Sequence, residues 1–412
     1  MKLKNSLVMF LFAAVIGAVI GGVVWGFLRV MHLGLWLLWE VIPAALTGAP
    51  AALWPLLLCA AGGIVIGFLQ KKWGPYPEEL SVVLARKKKE GSYPYDHIPR
   101  LLLAALLPLL FGASLGPEAG LTGVIVGLCC WAGDNLKYAG KVLPELADVG
   151  FAATLSVLFG SPLFGFVLPV EKDIYSDEAM ILPKGVKIFA TFCGIFGGLG
   201  IYMLLGHLFG GGSGLPRFGE ATVNKQEILW MLPVALIGVA YGLLFKLGEK
   251  VLGEIAAPFR KYPIALALCG GVALGGLGML FPLGMFSGEE EMAVLMQDYL
   301  QYTPLMLFLL AAVKMLLIQI CLCSGWRGGH FFPAIFAGVC VGYGCALLLS
   351  IDPVFSCAVA CAAVMTTIMR KPFAVAMLLM LCFPANCLIW MILVAFLGAL
   401  LPEFTGKRAA KV

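Results

Sequence analysis

The chain has 412 residues, 61% of them hydrophobic and 12% charged, where soluble domains carry roughly 45–50% apolar and about 25% charged residues. With a mean hydropathy of +0.98, it cannot bury its apolar surface in a water-soluble fold, and at about 20 residues per crossing it holds about ten to fourteen membrane segments and little else. The formal charge of +5 gathers in short clusters, Lys2 with Lys4, Lys71 with Lys72, Arg86 to Lys89, and Lys407 with Arg408 and Lys411; this is loop charge that orients a membrane protein, and it excludes nucleic acid as a partner.

In chain order, Met1 to Arg29 has the basic start and apolar run of a signal peptide, yet it continues into Val30 and Trp36 without a polar cleavage zone. It predicts a retained first helix. Apolar runs follow near residues 34–48, 52–69, 101–138, 149–170, 186–210, 228–247, 261–285, 303–324, 331–350, 353–369 and 372–401. The fold class they imply is all-α and membrane-embedded, because lipid offers backbone groups no water partner. Several runs are broken by Gly or Pro, at Gly112 to Gly120, Gly160 to Pro162, Gly325 to Pro333 and Arg370 to Pro372. Such breaks predict half-helices that end within the membrane.

The breaks repeat. Gly120 and Pro333 close one matched pair of segments and Pro162 and Pro372 mark another, with separations of 213 and 210 residues. Two nearly equal offsets of about half the chain imply duplicated halves, residues 1–215 and 216–412, joined through the polar Gly210 to Gly219 stretch. The sense of the duplication is not measurable from one sequence, but short broken segments at matching positions point to an inverted-repeat transporter with its site at the repeat interface.

Glu118 is the most informative residue, because a carboxylate inside an apolar run is costly and must face a cavity, pore or partner. Gly116 and Pro117 precede it and Ala119 and Gly120 follow, so Pro117 falls in or before the first turn of a helix whose N–H groups form an anion-binding start. A carboxylate there occupies the anion's own seat; the plainer alternative is a Glu satisfying its own helix's orphan donors. The repeat-related segment Ser324 to Pro333, with Gly328, Gly329, His330 and Phe331, supplies a second helix start with glycines that let N–H groups converge. Glu289 to Glu291 reads as a solvated loop or helix start, or else lines an entrance. Lys314 either snorkels or lines an anion path, and Arg327 either raises local anion concentration or bonds carbonyls. The thirteen cysteines lie in apolar stretches as small hydrophobes, the four histidines share no ligand spacing with them, and neither a metal nor a cofactor is expected.

These residues resemble the CLC-type chloride channel and anion/proton antiporter family, and within it the divergent bacterial YfeO-like branch. The family's G-R-E-G-P is matched imperfectly by residues 116–120 and its G-x-F-x-P fully by Gly329 to Pro333, while Phe159 to Glu171 is similar to its F-N-A-P-L-x-G segment. The resemblance runs from the first helix to Phe404-Thr405-Gly406, essentially the whole chain, and implies no appended cytosolic regulatory domain. It implies transport of chloride or another small inorganic anion, coupled weakly or not at all to protons, or else a proton-coupled antiporter selective for fluoride or another anion, by a homodimer with one pore per subunit. It gives Glu118 the gating role and makes Gly116, Pro117, Ala119, Gly120, Gly329, His330 and Phe331 the anion site, with Gly74 where the family's anion-contacting serine stands. Three departures follow from the same comparison: the serine hydroxyl is missing at Gly74, no C-terminal tyrosine follows Phe404-Thr405-Gly406, and the family's relay glutamate is Lys172, with Glu171 beside it.

An intramembrane enzyme would need a nucleophile and base within reach of each other, and the apolar runs hold no such arrangement, so no enzyme is expected. A cation antiporter would want intramembrane aspartates, for which Asp148 is the one plausible candidate. The basic clusters predict an inner-membrane protein with both termini cytoplasmic.

Overall fold

The structure, a computed structural model, describes residues 3–46, 48, 52–74, 98–135, 143–171, 183–211 and 214–400. The helices of the first half are α1 (Leu3–Trp36), α2 (Trp54–Trp73), α3 (Ile98–Leu110), α4 (Glu118–Asn135), α5 (Leu143–Phe159), α6 (Pro162–Glu171) and α7 (Lys184–Phe209). Those of the second are α8 (Lys225–Ala256), α9 (Pro263–Leu280), α10 (Glu289–Asp298), α11 (Pro304–Cys323), α12 (Phe331–Leu349), α13 (Pro353–Met369), α14 (Pro372–Leu379) and α15 (Leu388–Ala399). Seven helices are long and apolar enough to cross a bilayer, among the described residues. The chain is a multi-pass membrane protein.

The expected breaks mark the helix ends. The run 101–138 divides at residues 111–117 into α3 and α4, and 372–401 divides between α14 and α15. The first helix, expected to continue past Arg29 into Trp36, extends further still: α1 continues through a π-helical turn, Leu37–Val41, into Ile42–Ala44, so most of the run 34–48 joins it. The polar residues there, His32 and Glu40, are too few to stop a helix. α1 is also a core element rather than a leader lying apart, since a Cβ on Gly17 would fall 1.9 Å from the Gly194 carbonyl oxygen of α7.

Order and packing together show the sense of the duplication. α2 and α9 occupy the same place in their halves and touch along glycines: Gly67 lies against Ile264, Gly63 against Ala267 and Leu268, Gly271 against Cys59, and Gly275 against Leu56. One set of numbers rises as the other falls, so the two helices are antiparallel. α6 and α14 behave likewise, with Glu171 at the end of α6 bonded to the start of α14 and Ser161, just before α6, donating to Met377 O. Counterpart helices that run oppositely are the signature of inverted halves. Small residues let these backbones approach, which in lipid replaces the hydrophobic drive to associate. α12 and α13 form the most buried pair, with Gly338 and Gly342 seated against Cys361 and Cys357; these cysteines act as small core residues.

Adding a side chain at the α2 and α9 contact tests this register. A Cβ at residue 63 alone would lie 2.5 Å from Ala267 O and 2.7 Å from Leu268 Cα. Gly63→Leu is expected to cost about 1–3 kcal/mol by overpacking, read as a lower thermal midpoint in detergent; an unchanged midpoint contradicts the contact.

Candidate functional site

α3 ends at a glycine with left-handed backbone, Gly112 (φ 81°), and the chain then bends at Ser114 before reaching Gly116. There it meets the segment that leads into α12. Gly116 N–H donates to Gly329 O and Gly329 N–H donates back to Gly116 O, both at 2.8 Å, a single antiparallel bridge between the halves. The bridged residues are 213 positions apart, the offset read from the broken segments. Two residues beyond each, α4 starts at Glu118 and α12 starts at Phe331.

The Glu118 side chain crosses between them. Its Oε1 accepts the Phe331 N–H at 2.7 Å, and the residue is 4% exposed. A Cβ on Gly116 would lie 2.0 Å from its Oε2, and one on Gly329 would lie 1.9 Å from its Cδ. Both glycines are therefore required by the carboxylate itself, which fills the space that any other side chain would take. A carboxylate accepting a backbone N–H is a charge-assisted bond of about 1.5–3 kcal/mol, and the positive ends of two helices face this one group. The plainer alternative, that Glu118 only caps its own helix, does not describe the geometry, because the carboxylate reaches the start of the other half.

Pro117, Ala119, Gly120, Gly329 and Phe331 are buried around it. His330 is half-buried, its ring 5.3 Å from Phe245 and 5.0 Å from Phe331. A phenylalanine cluster holds the two starts together: Phe159 stacks on Phe332 at 4.6 Å, lies 5.9 Å from Phe331 and meets Phe164 edge-on at 5.0 Å. Phe164 and Phe332 carried no sequence signal beyond hydrophobicity.

Gly74 is not in that cradle. It ends α2 with a left-handed φ of 93°, a conformation that strains a serine and suits glycine. It lines a separate small cavity of about 10 Å³, room for one water-sized guest, together with Gln70, Gly325 and Arg327. Lys172 lies outside the described residues, as do the residues after Leu400.

Glu171 is engaged rather than free: its carboxylate accepts the N–H groups of Phe373 at 3.3 Å and Ala374 at 2.7 Å, and its backbone carbonyl accepts from the Lys371 ammonium. Lys314 is fully buried and does not snorkel. Its Nζ donates to Met285 O and Phe286 O, both at 2.8 Å, and sits 5.0 Å over the Phe336 ring. Phe286 N–H in turn donates to Gly112 O, so Lys314 fixes the chain that supports the turn before Glu118. Glu289 to Glu291 is a helix start, as one reading had it, but it is not solvated at two of its three residues. Glu289 is 7% exposed at the first position of α10, and Glu291 accepts the Gly288 N–H at 3.0 Å; only Glu290 faces out, 3.6 Å from His32 Nε2. Asp148 pairs with Lys187 at 3.0 Å, which neutralises the one aspartate considered for cation transport.

Residues 61–403 match the family described as voltage gated chloride channel. The chain belongs to that family. The CLC chain is 29% identical over 314 residues to YfeO of Shigella flexneri, an ion-transport protein by assignment, covering 74% of this chain and 71% of the relative. The same values hold for YfeO of Escherichia coli strain K12 / DH10B. Among solved structures it resembles a CLC-type fluoride/proton antiporter, with a TM-score of 0.76 at 18% identity over 97% of this chain and 96% of the other. It also resembles a slow cyanobacterial chloride/proton antiporter, with a TM-score of 0.78 at 20% identity over 95% and 94%. Both show the CLC fold. The CLC chain is accordingly an anion-transport protein and not an enzyme.

The engagement of Glu171 has a measurable consequence. Glu171→Ala removes the acceptor at the start of α14, and is expected to cost about 0.5–2 kcal/mol of stability with faster hydrogen exchange at the Phe373 and Ala374 amides. Unchanged exchange there contradicts the contact.

Proposed function

We propose that this protein carries chloride or another small inorganic anion through a CLC-type pore gated by Glu118, with weak or absent proton coupling. One observation supports this above the rest: the Glu118 carboxylate sits on the Phe331 N–H at the meeting of two helix starts, the kind of donor cluster that holds a dehydrated anion. Carboxylate and anion then compete for one seat, framed by Gly116, Pro117, Ala119, Gly120, Gly329, His330 and Phe331, and protonation of Glu118 releases it. Gly74 marks the inner approach. The halves divide at residues 215 and 216, the protein is an inner-membrane homodimer with one pore per subunit, and the basic clusters hold both termini in the cytoplasm.

Weak coupling is the reading that Glu171 and, in sequence, Lys172 favour. A relay group must ionise near working pH; lysine has a reference pKa of about 10.4, so Lys172 serves better as a charge that attracts anions. Glu171, the last residue of α6, is committed to the start of α14. The second reading, a proton-coupled antiporter selective for fluoride or another anion, draws support from the antiporters among the structures of like fold.

Two measurements test these statements. Glu118→Gln is expected to abolish acid activation of anion flux in liposomes and to raise basal flux several-fold. Gly329→Ala, which places a Cβ 1.9 Å from Glu118 Cδ, should give the same behaviour in a chain that keeps its glutamate; a Glu118→Gln protein with unaltered rate and pH response removes the gate from the mechanism. For coupling, a chloride gradient should drive no uphill proton movement. Robust uphill pumping that survives Glu171→Gln overturns both the uncoupled reading and Glu171 as a substitute relay.

A further inference from the structure

A groove of about 340 Å³ opens between the end of α8, the start of α9 and the end of α11, lined by residues that include Leu252, Ile255, Phe259, Leu266, Ile320 and Cys323. Its walls are almost wholly apolar. The Ser324 hydroxyl at its floor is already donated to Cys321 O. Ile255, Phe259 and Tyr262 are each more than half exposed along its lips.

One end of the groove is basic. Arg260 and Lys261 are exposed in the turn between α8 and α9, with the Lys261 ammonium 5.1 Å from the Tyr262 ring that forms the lip. Glu254 is the nearest acidic residue in sequence and is not among those lining the groove. The turn also lies on a basic face of the molecule. Gly67, one helical turn before Lys71 and Lys72, packs on Ile264, which puts the start of α9 beside the end of α2, and Arg100 lies 6.0 Å from the Trp73 ring at that same end. An apolar slot with two exposed cations, Arg260 and Lys261, in the turn between its lining residues Phe259 and Tyr262 is complementary to a molecule with an acyl chain and a negative headgroup. Basic pockets between transmembrane helices hold anionic lipid headgroups by this logic.

We propose that this groove is a binding site for one anionic phospholipid of the leaflet on that basic face, its acyl chain along α8, α9 and α11 and its phosphate between Arg260 and Lys261. The site adjoins the gate segment in sequence, since Ser324 on its floor is followed by Gly325 to Gly329, and Gly329 is the residue bridged to Gly116. A bound lipid therefore packs against the end of α11 where it leads into the Glu118 cradle.

The test is lipid retention by the intact purified protein in native mass spectrometry, titrated with phosphatidylglycerol and, separately, with phosphatidylcholine of the same chains. Wild type should retain one phosphatidylglycerol per chain in strong preference to phosphatidylcholine. Arg260→Gln with Lys261→Gln, both on exposed side chains that leave the core untouched, should weaken phosphatidylglycerol binding about 30-fold, at roughly 5-fold per charge. Ala265→Trp, which fills the groove from an exposed lining position, should abolish retention of that lipid. Lys225→Gln, at the other end of the 32-residue α8, should leave it unchanged. Equal retention of the two lipids by wild type overturns the proposal, as does full retention by the groove-filled variant. A loss in Lys225→Gln as large as in the double variant reduces the effect to bulk charge and overturns it equally.

Discussion

The bond from the Phe331 N–H to the Glu118 carboxylate is the constraint on which the central architecture turns. An ionised group at membrane depth is tolerable only where donors replace its water, and a helix start supplies donors that no intrahelical carbonyl has claimed. Bringing a helix start to the middle of a membrane requires a helix that begins there, hence the breaks at Gly112 to Gly116 and Gly325 to Gly329. Bringing two together requires segments from opposite halves to meet, and the paired hydrogen bonds of Gly116 and Gly329 make that meeting. The absence of side chains at both positions then leaves the volume that the carboxylate occupies.

A similar device recurs elsewhere with a different outcome. Glu171 also reaches from the first half to a helix start of the second, where it accepts the N–H groups of Phe373 and Ala374 while its own backbone carbonyl holds Lys371. The same chemical group thus serves in two settings. At α14 it fastens counterpart helices end to start, whereas at α12 it lies in a cradle lined by glycines and ringed by the Phe159, Phe331 and Phe332 cluster.

Among the described residues, two further buried cations of the membrane region, Lys187 and Lys314, are matched by partners. Lys187 pairs with Asp148, and Lys314 spends its ammonium on two carbonyls of the chain before α10 and on the face of Phe336. An ammonium held by carbonyl dipoles and a ring face avoids the penalty of an unpaired buried ion. The effect on the site is indirect but physical: the chain that Lys314 anchors is the one whose Phe286 N–H supports the Gly112 turn. Sequence periodicity gave no sign of this, because a lysine that snorkels and one that clamps carbonyls occupy the same place in an apolar run.

What the sequence by itself determined was set by short-range physics. Composition dictated a membrane protein, glycines and prolines dictated where helices break, and the 213-residue offset dictated which two breaks correspond; the Gly116 to Gly329 bridge falls at that same separation. Glu118 was legible because a carboxylate in such a run has few places to go. The tertiary structure decided everything that depends on direction and distance. It made the halves antiparallel, since Gly63 against Ala267 and Gly67 against Ile264 fix the sense that no offset can carry. It separated Gly74 from the cradle and gave it Gln70 and Arg327 as neighbours, and it committed Glu171 to α14. It buried Glu289 while leaving Glu290 outside, because a helix start turns adjacent residues about 100° apart and only packing decides which of them meets the core.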